Sequence, residues 1–140
     1  MKSDTISVII PAYNEEETIL KNLKKLEDVL ESFSKQHALN YEVIIVDDGS
    51  DDNTYAEVTK YKKLNRKIKL ISYIKNGGKG NALKAGFAHV SGNYIAFLDA
   101  DLDISPDHIP TFYRYMMEKD ADVVIGSKHH PESNLSLIHI

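Results

Sequence analysis

The chain contains 140 residues, of which 42% are hydrophobic and 27% charged, which is enough apolar material for one globular domain with a core. Its formal net charge of −4 argues against a general nucleic-acid-binding protein, and the absence of cysteine excludes disulfides and thiolate chemistry. No apolar run approaches the roughly 20 residues that cross a bilayer. The N-terminus lacks the layout of a signal peptide, so we expect a cytoplasmic domain.

Short β-branched runs alternate with helical patterns along the chain. Thr5–Ile10 predicts the first strand. Asn14 can cap the helix that follows, and Glu17 completes a capping box. Glu42–Val46 predicts the second strand. Between them, apolar residues recur at steps of four and three, as on one face of an amphipathic helix: Ile19, Leu23, Leu26, Leu30 and Phe33.

The second half of the chain continues this alternation. The stretch "NGGKGNALKAGFAHV" begins as a glycine-rich turn and becomes the third helix. Ser105 caps the fourth helix, with Pro106 at its first position. The other predicted elements are a second helix at 53–64 and three strands at Ile68–Ile74, Tyr94–Leu98 and Val123–Ile125.

This order of elements predicts an α/β fold with a mostly parallel sheet, helices on both faces and right-handed crossovers. Doubly wound sheets bind ligands beyond the carboxyl ends of their strands, near the point where strand order reverses. With a strand order of 3-2-1-4, the motifs "PAYNEE", "DDGSDDN" and "DADLD" lie on one rim. Alone, "NEE" could be a helix cap and "DDGS" an Asx turn, but three polar motifs on one rim favour a site.

Three aspartates, Asp99, Asp101 and Asp103, occupy alternate positions after the fourth strand. They match the first ligands of an EF-hand, but Ile104 stands where that loop needs glycine and Pro110 where it needs glutamate, so we reject a calcium loop. A phosphatase-type D-x-D nucleophile remains an alternative. We favour a hard cation, because Mg²⁺ typically takes one or two carboxylates and fills its other positions with substrate phosphates and water.

In this interpretation Asp101 and Asp103 face the metal, and the metal faces a diphosphate. Asp99 could accept hydrogen bonds from a ribose, and Asp48 could accept one from the N–H edge of a nucleobase. Tyr13 offers a ring that can pack on that base.

The glycine-rich stretch "GGKGNA" lacks the spacing of a P-loop, and the first strand-to-helix turn lacks the G-x-G-x-x-G of a dinucleotide site. It is either a flexible loop before a helix or, through Lys79, a contact to a ligand phosphate.

The stretches "SVIIPAYNEE", "EVIIVDDGSDDNT", "NGGKGNALKAGF", "YIAFLDADLDISPD" and "VVIGSK" together resemble the N-terminal half of the inverting family 2 glycosyltransferases, which have the GT-A fold. The resemblance covers roughly residues 5–128. It is nearest to the branch that transfers mannose or glucose to dolichyl or polyprenyl phosphate. Enzymes of this family typically use a nucleotide-diphosphate sugar together with Mg²⁺ or Mn²⁺.

The resemblance also assigns roles to residues. Asp48 would read the base, Asp99 and Ala100 would lie against the nucleotide sugar, and Asp101 would ligate the metal, which makes Asp99 and Asp101 the expected catalytic residues. Asp103 stands where the branch has glutamine, and it could still ligate the metal. The residues that would line the nucleotide site from the first motif are Pro11, Tyr13 and Glu15.

Lys128, in "GSK", stands where the branch usually has arginine. An arginine fork grips a phosphate through two hydrogen bonds, whereas a lysine is a point charge, so this departure bears on the acceptor.

The resemblance implies metal-dependent, inverting transfer of a hexose from a donor of the GDP-mannose or UDP-glucose type to a polyprenyl phosphate, with peripheral membrane contact at the cytoplasmic face. Two alternatives stay open: a family 2 transferase acting on a glycan hydroxyl, and a non-catalytic fragment that binds nucleotide sugar. We expect residues 1–128 to form the nucleotide-sugar-binding domain, and 129–140 to be a truncated or non-native tail.

Overall fold

Four strands and four helices alternate along residues 3–126, the part of the chain that the structure, a computed structural model, describes. The described residues divide after Pro106 into two compact units: the first holds the sheet and three helices, and the second, which starts at Asp107, holds the fourth helix. The elements are β1 (Thr5–Ala12), α1 (Ile19–His37), β2 (Asn40–Asp48), α2 (Thr54–Leu64), β3 (Ile68–Tyr73), α3 (Lys79–Phe87), β4 (Tyr94–Phe97) and α4 (His108–Lys119).

The strands form one parallel sheet in the order β3-β2-β1-β4, which confirms the predicted order. β1 lies in the middle, with Ile6 beside Tyr41 of β2 and Tyr94 of β4. Consecutive residues of β1 are apolar and buried, with Val8 and Ile9 both 0% exposed. Such continuous burial shows that both faces of the sheet are covered.

Helix α3 covers one face of the sheet, where Ala82 packs into a buried cluster with Ile9 and Ile44. Gly86 of α3 lies so close to β1 that a Cβ atom there would meet the Ile9 Cγ2 atom at 2.5 Å. Helices α1 and α2 pack on each other and on β2 and β3. Because side chains alternate along a strand, their apolar stripes cover the opposite face.

Two helices begin later than the sequence predicts. Asn14 was expected to cap α1, but the N-cap residue is Thr18, and Asn14 adopts a left-handed conformation with φ of 52°. The prediction was wrong because the polar groups of that segment bond to a neighbouring loop instead. Helix α4 begins at His108 after a turn at Pro106, rather than at Pro106 itself.

The predicted fifth strand is also wrong. Residues Val123–Ile125 form no strand among the described residues, and Val123 and Ile125 are 38% and 43% exposed. A strand needs a partner for its N–H and C=O groups, and a run of three apolar residues does not supply one.

A buried carboxylate, Glu42 of β2, joins the amino-terminal half of the sheet to the segment before β4. It accepts hydrogen bonds from the Ser7 hydroxyl at 2.6 Å and the Ser91 N–H at 2.7 Å, and it pairs with Lys69 at 2.6 Å. Burial alone would raise the pKa of Glu42, but the bonds from Lys69, Ser7 and Ser91 outweigh it and lower the pKa to about 2.

The close contact at Gly86 can be tested by adding one methyl group. We expect Gly86→Ala to lower the free energy of unfolding by about 1–3 kcal/mol, because the new Cβ would overlap Ile9 and Val46. The matched control is Gly80→Ala in the same helix, where an added Cβ would meet nothing within 4 Å. The control should be neutral or stabilising by up to about 1 kcal/mol in urea unfolding. Equal effects of the two substitutions would contradict this packing.

The charge of Glu42 predicts an acid-sensitive stability. A carboxyl with a pKa of 4.5 when unfolded and about 2 when folded contributes stability above pH 4.5 that is lost as the pH falls towards 2. Urea unfolding between pH 7 and pH 2 should show that Glu42→Gln lacks about 3 kcal/mol of this pH-dependent stability. Glu17→Gln, which removes the same charge from an exposed side chain, is the matched control. A Glu42→Gln profile parallel to that of the wild type would refute the assignment.

Candidate active site

The motifs singled out in the sequence meet at one edge of the sheet, because parallel strands end on the same side. Pro11 lies in β1 opposite Val46, and Tyr13 directly follows β1 and is 44% exposed. Asp48 is the last residue of β2, where the sequence pattern had placed it in the following loop. Asp99 follows β4 by two residues. The expected convergence on one rim is therefore present.

The loops after β1 and β2 are interlocked through reciprocal hydrogen bonds. The Asn14 N–H donates to the Ser50 hydroxyl at 2.9 Å, and the Asn14 side-chain oxygen accepts from the Asp51 N–H at 2.8 Å. In the same way, the Glu16 N–H donates to Asp52 at 3.1 Å, while the Glu16 carboxylate accepts from the Asn53 N–H at 2.9 Å. This exchange uses the Asn14 side chain, which was expected to cap α1, whereas Glu17, the other expected member of the capping box, takes no part in it.

Thr54, the first residue of α2, bonds to residues of both loops and is 0% exposed. Its hydroxyl accepts from the Glu15 N–H at 2.8 Å and donates to Asp52 at 2.5 Å. Burial opposes ionisation of Asp52, but the hydrogen bonds from Thr54 and the Glu16 N–H outweigh it and lower the pKa of Asp52. The two loops therefore form one rigid wall of the rim.

The "DDGS" turn combines an Asx-type bond with a close backbone approach. The Ser50 N–H donates to the Asp47 carboxylate at 3.2 Å. Gly49 has a φ of 69°, and a Cβ there would meet the Asn76 backbone nitrogen at 2.5 Å. Glycine is required here because the loop after β3 lies directly against the turn.

Asp48 is buried, at 4% exposed, and is surrounded by that loop. Its Oδ1 atom accepts from the Gly77 N–H at 2.9 Å, and its Oδ2 atom accepts from the Gly78 N–H at 3.0 Å and the Asn76 side-chain amide at 3.1 Å. Tyr73 lies beside Asp48 in the sheet register, and burial followed by the Asp48 carboxylate raises the pKa of Tyr73 to about 12. Asp48 thus fixes the glycine-rich loop against the end of β2.

The "DADLD" loop is a tight turn with a buried centre and exposed carboxylates. The Leu102 N–H donates to the Asp99 carbonyl at 3.0 Å, and Leu102 has a φ of 51°. The Asp103 N–H donates to the Asp101 carboxylate at 3.0 Å. Asn22 of α1 donates to the Ala100 carbonyl at 2.8 Å, and Ala100 is only 5% exposed. The turn therefore presents three acidic side chains from a tethered backbone.

An ion pair joins two of the residues that the sequence predicted for the site. The ammonium group of Lys79, at the start of α3, contacts the Asp99 carboxylate. Both side chains are exposed, at 63% and 51%, so the pair adds little to stability. It does place the one cation of "GGKGNA" directly at the acidic loop.

Negative charge also accumulates between the loop that follows β1 and the loop that contains "DADLD". Burial raises the pKa of Glu15, and the charges of Asp101 and then Asp52 raise it further. A pocket of about 300 Å³ opens here and is lined by Asn14, Glu15, Glu16, Glu17, Thr18 and Asp52. A cation near Asp101 would reduce this repulsion.

The residues present fit Mg²⁺ or Mn²⁺ only as a partial ligand set. Among residues 3–126, no three His, Cys, Asp or Glu side chains lie close enough to hold a metal ion. Asp101 and Asp103 offer hard oxygen atoms on one exposed turn. That matches a metal that takes one or two carboxylates and completes its shell with phosphate and water.

Sequence reasoning missed the two asparagines that hold the rim together. Asn22 lies on α1, where a polar residue on the amphipathic pattern gave no signal of a tertiary bond. Asn76 precedes the two glycines of "GGKGNA", and its position before a tight loop was the only available hint. Lys128, together with the tail at 129–140, lies outside the described residues.

Comparison with known proteins supplies the family. The profile of glycosyl transferase family 2 matches residues 7–139. The chain belongs to glycosyltransferase family 2. It is 34% identical over 125 residues to the glycosyltransferase GlyG of Streptococcus pneumoniae. The aligned region covers 89% of this chain and 39% of GlyG.

Two solved structures share the fold of this family 2 chain. One is the mannosyltransferase PcManGT of Pyrobaculum calidifontis in complex with GDP-Man and Mn²⁺, with a TM-score of 0.69, 25% identity, and coverage of 90% of this chain and 35% of that one. The other is S. aureus TarS 1–349 in complex with UDP-GlcNAc, with a TM-score of 0.70, 28% identity, and coverage of 94% and 37%. The expected family and GT-A sheet are confirmed, and the chain spans less than two fifths of these proteins.

The interlocked wall can be tested at Thr54. We expect Thr54→Val to lower the free energy of unfolding by about 1–3 kcal/mol, because the Glu15 N–H and Asp52 both lose a buried partner while the side-chain volume is kept. Thr59→Val is the matched control on α2, since its hydroxyl bonds only to the Tyr55 carbonyl at an exposed position. Urea unfolding should separate the two variants, and equal stabilities would contradict the proposed wall.

Proposed function

We propose that this chain is the nucleotide-sugar-binding part of a metal-dependent, inverting glycosyltransferase that uses a nucleotide-diphosphate hexose. The observation that carries the proposal is the placement of two carboxylate sites on one rim. Asp48 lies at the end of β2, the Asp99–Asp103 turn follows β4, and Lys79 joins the glycine-rich loop to that turn. This arrangement suits a ligand with a polar base at one end and a charged diphosphate at the other.

At the base end, Asp48 accepts a hydrogen bond from a nucleobase N–H, and the exposed ring of Tyr13 packs on the base. Pro11 and Glu15 line the nucleotide site beside them. Two structural neighbours are described as complexes with GDP-Man and with UDP-GlcNAc, which supports a nucleotide sugar as the donor class.

At the diphosphate end, Asp101 and Asp103 would hold Mg²⁺ or Mn²⁺, and Asp99 with Ala100 would lie against the sugar and ribose. When bound, the divalent cation neutralises the charge that develops on the leaving diphosphate. Lys79 contributes a second positive charge from α3. The acidic pocket around Glu15–Glu17 repels phosphate, so the diphosphate lies towards Lys79.

In the reaction, an acceptor oxygen forms a bond to C1 of the sugar as the bond between C1 and the diphosphate oxygen breaks. Attack from the face opposite the leaving group inverts the configuration at C1. The residues of this chain orient the donor. They also stabilise the negative charge that develops on the leaving nucleoside diphosphate.

For the acceptor, we propose a polyprenyl phosphate, reached through peripheral contact with a membrane. A phosphate oxygen is already an anion at pH 7 and attacks without a general base, whereas a glycan hydroxyl requires one. No helix described between residues 3 and 126 is long and apolar enough to cross a bilayer. Transfer of labelled hexose to a polyprenyl phosphate in detergent, and none to oligosaccharides, supports this acceptor; the reverse result refutes it.

Metal-dependent nucleotide binding tests the core of the proposal. We expect UDP or GDP to bind the chain in calorimetric titration only when Mn²⁺ is present. Asp101→Ala should weaken that binding at least about tenfold, since loss of even a supporting partner of a metal ligand costs that much. Because Asp101 is exposed, the urea midpoint should not change.

The matched control is Asp28→Ala, which removes the same charge from an exposed position on α1. It should bind nucleotide as the wild type does. If Asp101→Ala bound normally in the presence of Mn²⁺, the metal assignment would be wrong, and if the wild type bound neither nucleotide, the proposed function would be wrong.

A further inference from the structure

The loop after β3 encloses the carboxylate of Asp48 with three N–H donors. Gly77 donates its backbone N–H to Oδ1 at 2.9 Å. Gly78 donates its backbone N–H to Oδ2 at 3.0 Å, and the Asn76 side chain donates to the same oxygen at 3.1 Å. The Asn76 amide also reaches the Asp48 carbonyl at 3.0 Å, which fixes its orientation.

These bonds leave the carboxylate with little remaining capacity. An ionised carboxylate has about four acceptor positions, two on each oxygen. Both positions on Oδ2 are used and one on Oδ1 is used, so one acceptor position is left, on Oδ1. The neighbouring Tyr73 hydroxyl lies close enough to influence Asp48, but it makes no hydrogen bond of normal geometry with the carboxylate or with any other described residue.

Nucleobases differ in how many donors they present to a carboxylate. Uracil presents a single N–H, at N3, between two carbonyl groups. Guanine presents two adjacent donors, the N1–H and the exocyclic amino group, and needs an acceptor on each carboxylate oxygen. A guanine at a carboxylate with one free position would leave a buried amino group unpaired, which is costly.

Resting on the proposed function, we propose that the Asn76–Gly78 loop makes Asp48 a single acceptor and thereby selects a uracil-containing donor over a guanine-containing one. Asn76 is the residue that sets this selectivity. It is a positioning residue, because it acts on the base only through the Asp48 carboxylate. It is also exposed, so it can be replaced without disturbing the core.

The first measurement is calorimetric titration of the chain with UDP and with GDP in the presence of Mn²⁺. We expect UDP to bind at least about tenfold more tightly, as sites that pair a polar group discriminate strongly against a ligand that leaves one unpaired. GDP binding equal to or tighter than UDP binding overturns this inference and leaves the proposed function standing. Binding of neither nucleotide overturns both.

The second measurement repeats both titrations on Asn76→Ala, which frees a position on Oδ2. The ratio of GDP to UDP dissociation constants should fall about fivefold or more, chiefly because GDP binds more tightly. Lys75→Ala changes the exposed side chain next to Asn76 and leaves the three donors to Asp48 in place, so its ratio should equal that of the wild type. An unchanged ratio in Asn76→Ala, or an equal fall in both variants, overturns the role of Asn76.

Discussion

Parallel pairing of the strands is the constraint on which the rest of this structure depends. Because β1 pairs with β2 on one side and with β4 on the other, all in the same direction, the ends of these strands lie at a single edge. The sheet is covered on both faces, so polar groups gather where the strands end. A site at this edge follows from topology before any individual side chain is considered.

The same edge concentrates carboxylates, and each is stabilised by groups from a different segment. Asp52 is held by Thr54 and the Glu16 N–H, and Asp48 by the loop after β3, whereas Asp99 contacts Lys79. Away from this edge, the Glu42 carboxylate is stabilised in the same way, by Lys69, the Ser7 hydroxyl and the Ser91 N–H. The carboxylates of the Asp99–Asp103 turn are exposed at this edge, on a backbone that is tethered by Asn22.

Periodicity in the sequence was sufficient to predict the four paired strands and the existence of the four helices, since buried parallel strands and amphipathic helices leave clear apolar patterns. The strand order 3-2-1-4 came from the doubly wound fold class, and the sheet confirms it. Periodicity failed where polar side chains made tertiary bonds. Asn14 had the chemistry of a helix cap, but it bonds to Asp51 across two loops. Asn22 carries no pattern and Asn76 only its position before a tight loop, because an amide that bonds to a distant carbonyl or carboxylate looks like any surface residue. The short run Val123–Ile125 had strand composition without a strand partner.

The central claim is that the nucleotide binds along the rim formed by the loops after β1, β2, β3 and β4. The most direct test is an NMR titration of the labelled chain with nucleoside diphosphate and Mg²⁺. The account predicts that the largest amide shift changes fall at Gly77, Gly78 and Asp101, while Glu42 and Ser91 at the other end of the sheet do not change. Changes centred on Glu42 and Ser91, or spread evenly over the chain, would contradict it.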